Sequence, residues 1–302
     1  MTRTEMVMIT NNFKGVRVSS VRSDKYKIMK KKLRTSMFEP IISNDVSRYK
    51  IQDVKKAAES GISDFQRFYA EAYLHGYVVP KDPEKAYELL CKASEGKPSV
   101  LCDYINCNGS DRRAIGLKGV CEYYGIGTIQ DKSSGISNIL KAKGYDDALA
   151  TLNLGIIYYN DSKYRKAVNL LEKLTQEMLK YRKYVLYEDK ISAIAHKVLA
   201  QCYIQGIGVR KNSFTAYSHW IIAAEMGDVD SMFNTAICNE FGIGVDKNEK
   251  MAFRYLSLAA SMNDIEATIK LGDYYSNGIG AKKNLKRAKI CYEDALYLSK
   301  KG

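Results

Sequence analysis

CYIQGIGVRKNSF (residues 202–214) sets two glycines one residue apart and follows them with Arg210 and Lys211. Glycines so spaced before basic residues suit a phosphate cradle, and they suit a tight turn equally well. The triplet recurs in YYGIGTIQDK (123–132), EFGIGVDKNE (240–249) and YSNGIGAKKN (275–284), so its reading has to explain the repetition as well as the chemistry.

Gly206, Gly242 and Gly278 are each 36 residues apart. Laid over one another, the three windows agree well beyond glycine. Ala195, Ser231 and Ala267 open each unit, and Leu199, Thr235 and Leu271 follow. Next come the small residues Ala200, Ala236 and Gly272. After the glycines stand Asn212, Asn248 and Asn284, then Ala216, Ala252 and Ala288, then Trp220, Leu256 and Tyr292, then Ala223, Ala259 and Ala295. A fixed period of this size marks a solenoid. Apolar spacing of three and four within each unit marks two amphipathic helices. The glycines fall where the first helix ends, where positive φ is needed, and the asparagines fall where an amide caps the second helix. A phosphate site would start its helix directly after the glycines. Here several residues intervene and the ending GK[ST] is absent, so GIG reads as a helix–helix turn.

The pattern resembles the Sel-1-like repeat, a relative of the tetratricopeptide repeat. Ala195, Leu199, Ala200, Tyr203, Gly206, Gly208, Ala216, Trp220, Ala223 and Gly227 carry the resemblance. It implies an all-α fold, a right-handed superhelical solenoid of about six antiparallel helix pairs. It also implies a role in protein–protein contact, as an adaptor and not as a catalyst.

Weaker units extend upstream. FYAEAYLHGYVVPKDPEKAYELLCKASEG (68–96) matches through Ala70, Tyr73, Gly76, Asp82, Ala86, Leu90 and Ala93, but has Val78 in place of the second glycine. A unit opening at Ala114 carries Gly125 and Gly127, with Gly135 at the usual alanine position. The unit over 148–174 lacks the glycine turn, and Leu154, Gly155, Tyr158, Tyr164 and Ala167 make it resemble an ordinary tetratricopeptide repeat. The expected organisation is a basic extension over 1–45 and a solenoid over 46–302, with units near 65–96, 114–146, 150–174, 195–227, 231–263 and 267–298. Residues 46–60, ending in KKAAESG, read as a lone second helix that caps the array. Two joints are longer than the others, around KPSVLCDYINCNGSDRR and LTQEMLKYRKYVLYEDK; the second reads as an extended helix with Leu174, Met178, Tyr181 and Val185 on one face.

Composition excludes other classes. There is no run of about 18 apolar residues to span a membrane and no apolar segment with a cleavage site at the N-terminus. Seven cysteines without CxxC spacing fit a reducing, cytoplasmic setting. Cys121, Cys202 and Cys238 recur at one position of the first helix, which suits small buried hydrophobes. His75, His196 and His219 lie far apart in the chain, so no metal, no cofactor and no catalytic set is expected.

Two surfaces remain. Carrying the tetratricopeptide contact positions across the resemblance gives a concave face of Arg67, Glu71, His75, Tyr123, Tyr124, Tyr159, Asn160, Lys197, Gln201, Gln205, Phe233, Glu240, Phe241, Asp273 and Asn277. Such a mixed polar and aromatic groove suits a peptide or protein partner. The net charge is +13, and residues 1–60 hold 14 Lys/Arg against 6 Asp/Glu. Lys25, Lys27, Lys30, Lys31, Lys32 and Arg34 form the core of this basic arm. It is open to three readings: a solvated tail, a docking arm for an acidic partner, or a contact for nucleic acid or an anionic membrane. Two further functions stand beside the adaptor: an immunity or effector-associated protein that neutralises a bacterial toxin, and a nucleic-acid-associated protein working through the arm. At the C-terminal end Ile290, Tyr292, Leu296 and Leu298 leave an apolar flank that suits self-association.

Overall fold

The computed structural model describes residues 50–95, 111–181 and 188–300. The basic arm, most of the first long joint and part of the second lie outside the described residues. Among the described residues there are thirteen α-helices and no strand, and the helices belong to one compact unit.

A lone helix α1 (Ile51–Glu59) precedes six helix pairs. These are α2 (Ser63–His75) with α3 (Pro83–Glu95), α4 (Arg112–Tyr124) with α5 (Lys132–Gly144), and α6 (Ala148–Asn160) with α7 (Tyr164–Tyr181). They continue with α8 (Glu188–Gln205) and α9 (Ser213–Glu225), α10 (Val229–Phe241) and α11 (Glu249–Ser261), and α12 (Ile265–Asn277) and α13 (Leu285–Ser299). Each first helix packs on its own second helix, and each second helix packs on the first helix of the next pair. The sole tryptophan, Trp220, is fully buried in this stack, as are Ala216, Ala252, Leu256 and Ala259.

Small residues set how closely helices approach. A Cβ on Gly119 would lie 2.6 Å from the Gly135 carbonyl oxygen, and one on Gly135 2.7 Å from the Gly119 oxygen. The backbones of α4 and α5 therefore touch here, which explains why Gly135 stands where other units have alanine. In the same way Gly272 makes room for the ring of Tyr292.

The turns have a two-part logic, clearest at Gly242 and Gly244. Gly242 has φ +64° and ends α10, its N–H donating to the Cys238 carbonyl. Gly244 has φ +71°, and a Cβ there would lie far inside contact distance of the Ser213 carbonyl oxygen at the start of α9. The first glycine thus closes a helix, and the second lets the turn press against the preceding unit. The first pair shows the converse. Val78 takes φ +63° in the second position and is exposed. The lone helix α1 starts only at Ile51, so within the described residues no second-helix start presses against Val78. In the third pair Ser162, at φ +61°, carries a shorter turn without glycine.

Side chains cap both kinds of helix. Asn212, Asn248 and Asn284 accept from Thr215, Met251 and Arg287 N–H at 3.1, 3.0 and 3.0 Å. The first helices have their own row of caps, which the sequence reading missed: Asp111, Asp147, Asp228 and Asp264. The second long joint begins as the expected extended helix, since α7 runs to Tyr181 with Leu174 and Met178 buried; Val185 lies outside the described residues. At the C-terminal end Ile290 and Tyr297 are exposed, whereas the Tyr292 hydroxyl donates to Asp273 at 2.7 Å.

Candidate partner-binding surface

The last residues of the six first helices form a register row, one per unit: His75, Tyr124, Asn160, Gln205, Phe241 and Asn277. His75 and Asn277 are exposed and the other four are partly exposed. Tyr159, Glu240, Lys197 and Asp273, on the same helices, are also partly exposed.

Bonds between and within units order the helices that carry this row. Lys270 lies 2.7 Å from Glu240 of the preceding unit, with its ammonium 5.9 Å from the Phe241 ring centroid and 5.8 Å from that of Tyr274. Lys197 pairs with Asp228 at 2.9 Å and Asp230 at 3.3 Å on the next first helix. Burial alone would lower its pKa, but the two carboxylates outweigh burial and hold it above the ordinary lysine value. The Tyr123 hydroxyl donates to Asp161 at 2.9 Å across the second and third units. Tyr159 meets Tyr164 edge-on at 5.4 Å, and burial pushes its hydroxyl pKa up. Asn277 donates to the Asp273 carbonyl at 2.8 Å.

Several residues expected on the open face are inside the molecule. Arg67, Glu71, Tyr123, Gln201 and Phe233 are buried. Arg67 donates to Glu71 and Asp111, both at 2.8 Å, and its guanidinium lies 4.2 Å from the Phe68 ring centroid. Arg67 and Tyr123 bond to the neighbouring unit, and burial leaves all five with little surface to present to a ligand. The basic arm, Lys25 to Arg34, lies outside the described residues.

Two histidines far apart in the chain meet in space. The Nδ1 atoms of His196 on α8 and His219 on α9 are 2.7 Å apart, and the Tyr203 ring stacks on His219 at 5.6 Å. The Tyr203 hydroxyl donates to Glu172 of α7. Burial holds His219 down at about 4, with the Glu172 charge pulling the other way. Linear separation hid this contact, although the histidines sit on the two helices of one unit. Among the described residues no three His, Cys, Asp or Glu side chains are grouped to hold a metal ion. Cys121, Cys202 and Cys238 are buried and free. Burial pushes the thiols of Cys121 and Cys202 up to about 12 and raises that of Cys238 as well, which leaves them poor nucleophiles.

The Sel1 repeat family matches residues 63–97, 193–228, 229–264 and 265–298. The chain is a Sel1 repeat protein. In this Sel1 repeat protein the matched segments are the first, fourth, fifth and sixth helix pairs, and the second and third pairs continue the same stack between them. The fold is similar to that of c5321, described as a protective antigen present in uropathogenic Escherichia coli strains and displaying an SLR fold, with a TM-score of 0.61 at 20% identity. That match covers 82% of this chain and 49% of c5321, so the chain spans about half of that protein's length. A Sel1 repeat protein from Oxalobacter formigenes matches with a TM-score of 0.60 at 18% identity, covering 82% of this chain and 99% of the other. Curated proteins give no match to the sequence. Among the described residues no helix is long and apolar enough to cross a membrane.

Proposed function

We propose that this Sel1 repeat protein is a non-catalytic scaffold that holds a peptide or protein segment along the ends of its first helices. The observation that carries the reading is the register row of exposed and partly exposed side chains, one per unit, on helices that ion pairs and hydrogen bonds tie to their neighbours. Tyr124, Tyr159 and Phe241 are the aromatic anchors, since large rigid rings dominate interface energetics when a partner desolvates them. Lys197 and Glu240 are already paired within the protein, so they order the surface and leave binding to the rings. We place the protein in the cytoplasm, a setting that the free cysteines fit.

The test is affinity capture of a partner from source lysate at high salt, followed by titration calorimetry with the purified partner. Tyr124→Ala with Phe241→Ala should weaken binding at least tenfold, which two lost anchors at about 1–2 kcal/mol each would exceed. Unchanged affinity in a folded double variant removes the assignment.

A further inference from the structure

Among the described residues the four most exposed large hydrophobic side chains are Ile129 (89%), Phe214 (69%), Val78 (65%) and Leu285 (64%). Exposed hydrophobics scattered singly are ordinary on a protein surface. These four are not scattered, because all stand on one edge of the solenoid, where first helices turn into second helices. Val78 occupies the second-glycine position, Ile129 follows Gly127 by two residues, and Phe214 and Leu285 lie in the first turns of α9 and α13.

That edge is physically continuous. The second glycines Gly127, Gly208, Gly244 and Gly280 press against the starts of the preceding second helices, at Pro83, Tyr164, Ser213 and Glu249. The hydrogen bond from Tyr123 to Asp161 joins the second unit to the third. The same edge is basic at its fourth and sixth turns, while Lys81, Asp82, Glu84 and Lys85 balance at the first, Asp131 and Lys132 at the second, and Asp246, Lys247, Glu249 and Lys250 at the fifth. Arg210 and Lys211 at the fourth turn and Lys282, Lys283 and Lys286 at the sixth are all exposed. An open notch of about 700 Å³ between the last two turns is bordered by Lys247, Glu249, Lys250 and Lys282, with Lys247 paired to Glu249 at 2.7 Å. The opposite edge of the last three pairs carries Glu225, Asp228, Asp230, Asp264 and Glu266, so the two edges differ in sign.

The side chains choose among anionic partners. Single-stranded nucleic acid is held by stacking on aromatic faces, and three of the four apolar tips are aliphatic. A folded acidic protein would need a complementary hollow for each isolated tip. A bilayer yields around each tip separately, taking apolar side chains into the boundary between headgroups and acyl chains while lysines meet anionic headgroups.

We propose that this edge docks on an anionic lipid bilayer, with Val78, Ile129, Phe214 and Leu285 entering the interface and the lysines between them meeting the headgroups. The inference does not rest on the scaffold reading, since none of these residues belongs to the row of first-helix ends, although that row borders the same turns.

The test uses the full chain in flotation with phosphatidylcholine vesicles, with and without phosphatidylserine. The basic arm alone can hold anionic vesicles, so the edge variants and the depth of insertion decide. Lys282→Gln with Lys283→Gln and Lys286→Gln should weaken partitioning on the order of 100-fold, about fivefold per lysine removed. Ile129→Ser with Phe214→Ser should weaken it roughly tenfold or more; both sites are exposed, and an unchanged unfolding midpoint would show that folding is kept. In Phe214→Trp, emission should shift to the blue on vesicle binding and be quenched by lipids brominated in the acyl chain, against the constant background of the buried Trp220. Emission that stays unshifted and unquenched on vesicle binding overturns the proposal, as does wild-type partitioning by either multiple variant. Loss of duplex DNA binding without loss of vesicle binding in the lysine variant overturns it in favour of a nucleic-acid edge.

Discussion

His196 and His219 face each other through their Nδ1 atoms, 2.7 Å apart, across the two helices of the fourth unit. At that distance one Nδ1 donates and the other accepts, so the contact excludes a charge on both rings at once. The stacked Tyr203 ring and the carboxylate of Glu172 behind its hydroxyl close the site.

Stability should therefore fall on mild acidification. Burial holds His219 at about 4 in the folded chain, against about 6.5 unfolded. Between these values the unfolded chain binds the proton and the folded chain does not, so stability is full above pH ~6.5 and drains as pH falls toward ~4. The loss across this window is about 3 kcal/mol. Carboxylates titrate in its lower part, so the measurement is a difference: urea midpoints of wild type and His219→Gln at pH 7.5 and 4.5. Equal pH slopes for the two proteins would show that His219 is not the group responsible.

The two kinds of glycine separate in a single comparison. Gly227 has φ +93° and nothing within 4 Å of a Cβ, whereas a Cβ at Gly244 strikes the Ser213 carbonyl of the preceding unit. Gly227→Ala should cost about 1 kcal/mol of left-handed strain. Gly244→Ala adds a collision between units and should cost roughly 3 kcal/mol. Chemical denaturation of both variants measures the difference, and equal costs would mean that the turns do not lock the units together.

The repeat was legible because a solenoid writes its fold at short range: each unit meets only its neighbours, and the turn, cap and small-residue positions recur with the chain. Gly135 shows how far this goes, since its departure from alanine marks the site where α4 and α5 touch. The surface was less legible. Sequence register says which side of a helix a residue occupies, and it does not say how closely the next first helix approaches. Phe233 and Phe241 illustrate the gap, lying on one helix with only the second partly open. Arg67 was misread for a similar reason, because its partner Asp111 lies 44 residues away beyond the first long joint. The apolar tips of the turns escaped attention because position in the repeat, more than residue type, makes them exposed.

Phe233→Ala and Phe241→Ala should part company. Phe233 is buried in the stack, and its truncation should cost about 3 kcal/mol or more through lost packing and a cavity. Phe241 is partly exposed under the Lys270 ammonium, and its truncation should cost less than about 1 kcal/mol. Thermal unfolding of the two variants reads this directly; similar losses would place both rings in the core and remove Phe241 from the partner surface.

The buried ion triad of Arg67, Glu71 and Asp111 should matter more when broken than when replaced. Burial opposes the Arg67 charge, and the nearby Asp111 and Glu71 carboxylates outweigh it, keeping the guanidinium charged and its pKa raised. Arg67→Met removes the cation and leaves both carboxylates in the interior, a cost of about 3–5 kcal/mol. Asp111 also caps α4 through Oδ1 while Oδ2 receives Arg67, so Asp111→Asn keeps a capping side chain and isolates the loss of charge. The triple variant Arg67→Met, Glu71→Leu, Asp111→Asn should regain most of what Arg67→Met loses, because no buried charge is left uncompensated. Denaturant midpoints of the single and triple variants decide it. A triple variant no more stable than Arg67→Met would mean that the triad specifies the joint between the first two pairs by its geometry, and that charge balance is not what the single variant disturbs.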